Sequence, residues 1–111
     1  MEVTDLKLIN ATEEILLKVK LQIEKDLSFC GFLYSLDSVK DLSSLLPELL
    51  EKIKELSRHG AGDIMKIVNR VDLTEKQYRT VNIMEGEWAS NLAKGIVLRE
   101  FQKIILRNRY S

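Results

Sequence analysis

Val39-Lys40-Asp41-Leu42-Ser43-Ser44-Leu45-Leu46-Pro47-Glu48-Leu49-Leu50-Glu51-Lys52-Ile53-Lys54-Glu55-Leu56 is the stretch on which the fold turns. Apolar residues stand at Val39, Leu42, Leu46, Leu49, Ile53 and Leu56, alternating steps of three and four, and Leu45 and Leu50 widen the stripe. That rhythm keeps one side of an α-helix apolar and asks for burial against other helices. Asp37 or Ser38 is expected to open the helix and Arg58 to close it. Pro47 removes a backbone donor and crowds the preceding turn, so a kink is expected there, or a fresh start after Ser43 or Ser44. Gly60 follows as a residue able to take the left-handed conformation that ends helices.

Towards the N-terminus two readings compete. Leu8, Ile15, Leu16, Val19, Ile23 and Leu27 share one side of a helix that Asn10 and Glu13 could cap. Ile15, Leu17, Val19, Leu21 and Ile23 also alternate with Lys18, Lys20, Gln22 and Glu24, which is a strand pattern. Leu, Lys, Glu and Gln favour the helix, and no second convincing strand offers a partner. The alternative is an α+β fold with a strand near residues 15–24. Between the two helices, Phe29, Cys30, Phe32, Leu33 and Tyr34 surround Gly31, either tucked under the bundle or exposed as an apolar patch.

Beyond Gly60 the signals are shorter. Ile64-Met65-Lys66-Ile67-Val68 is apolar at helical spacing. Thr74-Glu75-Lys76-Gln77 is a capping box, in which hydroxyl and amide satisfy each other's backbone donors. It opens a helix with Tyr78, Val81 and Met84 on its buried face. Gly86 ends or bends that helix. Ala89, Ala93, Val97, Phe101, Ile104 and Ile105 then mark a closing helix to about Arg107. The architecture expected is all-α: one domain over residues 1–111, a small bundle of about four helices.

Seventeen basic and seventeen acidic residues cancel, so little long-range repulsion keeps copies apart. Asn10-Ala11-Thr12 matches a glycosylation site, read as chance because no secretion signal precedes it. With Cys30 as the only cysteine and no apolar run near membrane-spanning length, a cytoplasmic location without membrane association is expected.

The inventory for chemistry is thin. His59 is the only histidine, set to interact with a helix C-terminus. Cys30 lies in an apolar stretch, where burial would raise its pKa and make it inert. One Cys and one His cannot build a structural zinc site. Glu48, Glu51, Lys52 and Glu55 read as a solvated face. Gly60-Ala61-Gly62 lacks the Gly-Lys-Ser/Thr of a phosphate loop. No catalytic residue, metal or cofactor is expected.

One polar feature does stand out. From Lys94 onward, Lys94, Arg99, Lys103, Arg107 and Arg109 face a single acid, Glu100, whereas residues 1–60 carry eleven acids and eight bases. Arg99, Lys103 and Arg107 form a stripe at four-residue spacing that can lie along phosphates, pair with a second copy, or simply stay wet.

Val68-Asn69-Arg70-Val71-Asp72-Leu73-Thr74-Glu75-Lys76 resembles a segment recurring in short uncharacterised bacterial proteins. In those proteins an Arg-Val/Ile-Asp stretch follows one helix and a Ser/Thr cap opens the next. Leu92-Ala93-Lys94-Gly95-Ile96-Val97-Leu98-Arg99-Glu100 is similar to their closing helix. The resemblance covers about residues 45–108 and implies a helical fold with no known activity.

The function expected is therefore a non-catalytic protein–protein interaction or self-assembling helical module, with a second copy or a protein partner. Leu42, Leu49, Ile53, Phe29, Phe32 and Trp88 are the candidate interface. A nucleic-acid-associated regulator using Arg99, Lys103 and Arg107 is the alternative.

Overall fold

The computed structural model describes residues 13–58 and 60–110, with no account of the side chains of residues 61 and 108–110. Among the described residues five helices follow one another: α1 (Glu13–Phe29), α2 (Leu42–Ser57), α3 (Ala61–Val71), α4 (Glu75–Ile83) and α5 (Trp88–Tyr110). The architecture is all-helical, with one helix more than the count of about four, because the Ile64–Val68 segment extends into a full helix. No strand forms among the described residues, and residues 15–24, the alternative strand, lie within α1. The expected Asn10 cap and the position of His59 fall outside the described residues.

Two of the helices, α2 and α4, begin where a side chain supplies a cap. Asp41, not Asp37 or Ser38, opens α2: its carboxylate accepts from the Ser44 amide at 2.8 Å and the Ser43 hydroxyl at 2.9 Å. These bonds favour the ionised form and hold the Asp41 pKa below its usual value. Leu36 and Val39 are buried in the connector ahead of the helix, with Asp37 and Ser38 exposed between them, and α2 continues through Pro47 to Ser57. The Thr74–Gln77 box is complete, with reciprocal bonds of 3.0 and 3.1 Å. Gly60 precedes α3 with φ 116°, a conformation that side chains resist.

α5 touches all four other helices and forms the centre of the core. Leu92, Ala93, Ile96, Val97, Phe101 and Ile104 are buried along it. They meet Leu16, Val19, Ile23 and Leu27 of α1 and Leu45, Leu49, Ile53 and Leu56 of α2 in one cluster. The extents of 37 × 30 × 24 Å exclude a single thin layer of helices. Gly95 lets α4 and α5 approach closely: a Cβ there would stand 3.0 Å from Val81 Cγ2. No helix among the described residues is long and apolar enough to cross a membrane.

Candidate functional site

Two features adjoin on α1 and α5: a basic-rimmed groove outside and an ionic cluster beneath it. Their common origin is the composition of α1. Leu16, Val19, Ile23 and Leu27 point inward at helical spacing. Alternating apolar residues cannot all share that side, so Leu17 and Leu21 emerge on the other, 52% and 55% exposed. The strand-like alternation is thus a helix with apolar residues on two faces.

Leu21, Gln22, Lys18 and Lys25 line a groove of about 340 Å³ with Ile104 and Arg107 of α5. Lys18 pairs with the exposed Glu14 at 3.4 Å, while Lys25 has no ion pair among the described residues. Arg107 donates to Gln22 Oε1 at 3.0 Å and has no ion pair among the described residues.

Gln22 connects the groove to the interior, donating from Nε2 to Asp26 Oδ1 at 2.9 Å. Asp26 occupies a core position, three residues after Ile23, and is buried. Lys103 reaches its other oxygen at 3.3 Å, and the Arg70 Nε lies 3.4 Å from Oδ1. Lys103 also forms an ion pair with Glu100, which is 0% exposed between Ile96, Val97 and Phe101. Burial disfavours the Glu100 charge, and the Asp26 carboxylate adds to that. Lys103 opposes the shift only in part, so the Glu100 pKa is pushed up to about 8. The buried Asp26 carboxylate is therefore held by two cations, of which Arg70 also stacks on the Phe29 ring at 3.7 Å, while Glu100 stays mostly protonated near neutral pH.

Cys30 sits at the edge of this cluster, its Sγ 3.5 Å from the Lys66 carbonyl oxygen. Burial, then the charge of Asp26, pushes its thiol pKa up, which keeps it protonated and a poor nucleophile.

The residues singled out in the sequence scatter across the molecule. Leu49 and Ile53 are each 1% exposed and belong to the core, while Leu42 and Phe32 pack half-buried against it. Phe29 is exposed beneath Arg70. Trp88 is partly exposed and donates from Nε1 to Asn82 Oδ1 at 2.8 Å, beside the exposed Ile83 and Met84.

The three members of the basic stripe are each engaged internally. Arg99 donates to the Asp72 carbonyl at 2.8 Å and meets its carboxylate at 3.4 Å, Lys103 holds Asp26 and Glu100, and Arg107 holds Gln22. Asp72 itself has φ 65° and ends α3, so Arg99 secures a strained turn. Sequence reasoning missed Asp26 and Glu100. Their signal was present: each is an acid at an inward position of an otherwise apolar stripe.

No family model, curated protein or solved structure matches the chain.

Proposed function

We propose that this protein is a non-catalytic interaction module that takes an acidic amphipathic helix into the α1–α5 groove. The carrying observation is the arrangement of the groove: Leu21 and Ile104 form an apolar floor, with Lys18, Lys25 and Arg107 around it. A helix in a groove is anchored by apolar side chains at i and i+3 or i+4, and flanking carboxylates on it would meet these cations. Lys18 gives up only an exposed pair with Glu14, a contact worth at most about 1 kcal/mol. Asp26, which Gln22 links to the groove, is already paired with Lys103 and Arg70, which supports binding over catalysis.

A labelled synthetic helix carrying leucines at i and i+4 between glutamates tests this by fluorescence anisotropy at low salt. Saturable binding that weakens with salt is expected. Covering the exposed part of Leu21 is worth about 1 kcal/mol, so Leu21→Ala should weaken binding roughly fivefold. Leu21→Glu with Lys25→Glu should abolish it while the circular dichroism spectrum stays unchanged. Equal affinity for a lysine-substituted helix would refute the reading. So would tighter binding of a short DNA duplex, which would move the function to nucleic acid.

A further inference from the structure

We infer that the groove's occupant is helix α2 of a second copy of this chain, an inference that rests on the helix-binding reading above. The acidic side of such a helix is present in the molecule on α2, whose apolar side is buried in the core, so a second copy would be held by charge rather than by apolar anchors. Glu48, Glu51 and Glu55 are exposed on one side of α2, at steps of three and four. Lys18, Leu21 and Lys25 follow the same steps on α1. In each helix the outer two charged residues are seven positions apart, about 10.5 Å along the axis.

Laid antiparallel, Glu55 stands opposite Lys18 and Glu48 opposite Lys25. Glu51 then falls between them along the axis. The charges are available for this. Glu48 and Glu51 have no ion pair among the described residues, and Glu55 has only the 3.8 Å contact to Lys52. Lys25 is likewise unpaired. The pattern of charges is complementary, while the zero net charge removes any long-range repulsion between copies.

The groove and the acidic stripe are different patches, so each copy offers one of both. Assembly closes as a symmetric pair or ring where both contacts can be made together, and otherwise extends with concentration.

Charge reversal on the full chain tests the assignment by sedimentation velocity. The wild type should associate at low salt and lose at least ~tenfold in apparent association at high salt. A groove variant, Lys18→Glu with Lys25→Glu and Arg107→Glu, should be monomeric. A stripe variant, Glu48→Lys with Glu51→Lys and Glu55→Lys, should be monomeric too. Mixed in equal amounts, the two should associate again, because each then carries the complement of the other. The stripe variant must still bind the synthetic acidic helix, which shows that its groove is folded. A wild type that stays monomeric, a single variant that associates like the wild type, or a folded pair that fails to recombine would overturn the inference. A monomeric wild type that binds the synthetic helix defeats only the second-copy assignment. Failure to bind the helix as well defeats the groove reading with it.

Discussion

Replacing Glu100 with glutamine should make the protein more stable, and more so as the solution becomes alkaline. In the unfolded chain this carboxyl ionises near 4.5, whereas in the folded core its pKa is about 8. The folded state therefore keeps a proton that the unfolded state releases. The stability this provides is complete below the unfolded pKa and is lost as pH rises through the folded one. At about 1.4 kcal/mol per pH unit, the whole interval is worth up to about 5 kcal/mol. Integrated from about pH 5 to about pH 9, wild-type stability falls by about 4 kcal/mol from this group, with more than half of the loss complete near pH 7. Glutamine keeps the shape and cannot ionise, and Lys103 retains Asp26 at 3.3 Å. Urea unfolding of both proteins across this range, followed by far-ultraviolet circular dichroism, isolates the group because all other titrations are common to the pair. The expected result is a stability gap near zero in acid that grows to several kcal/mol in favour of the variant at high pH. A gap that does not change with pH, or a variant that is less stable in alkali, would refute the reasoning.

Two further substitutions probe the packing. Gly95→Ala should destabilise by about 1 kcal/mol in calorimetry, because crowding the stiff Val81 costs more than the helix propensity gained, and should become stabilising in a Val81→Ala background. Lys103→Gln leaves Asp26 with Arg70 as its remaining cation, and should cost about 3 kcal/mol in chemical denaturation; unchanged stability would mean that Lys103 is not needed inside.

The legible parts of the fold were those fixed by short-range rules. The Leu42–Leu56 rhythm located α2 and its buried Leu49 and Ile53, and the Thr74–Gln77 box located the start of α4 to the residue. Helix starts away from such a box were less readable: Asp37, Ser38 and Asp41 are all competent caps, and the burial of Leu36 and Val39 ahead of the helix settles the matter in favour of Asp41. The site was much less legible. Periodicity marks a residue as facing inward or outward on its own helix, but which neighbour it meets depends on the packing. Arg99, Lys103 and Arg107 read as one stripe along α5, yet they reach Asp72, Asp26 and Gln22 on two other helices or their ends.

By itself, then, the sequence pointed to a helical chain while leaving a strand near residues 15–24 open, since amphipathic spacing and capping act over a few residues. It also placed Leu17 and Leu21 in an alternating apolar pattern beside the helical stripe of Leu16, Val19, Ile23 and Leu27. Only the tertiary structure decided which faces were consumed. Packing α5 at the centre buried Leu49 and Ile53, left Leu17 and Leu21 outside, and drew Asp26 and Glu100 into the interior, where Lys103 must hold them. The physical reason is that burial and charge pairing depend on residues distant in the chain. Asp26 and Lys103, separated by 77 positions, acquire their meaning only from each other.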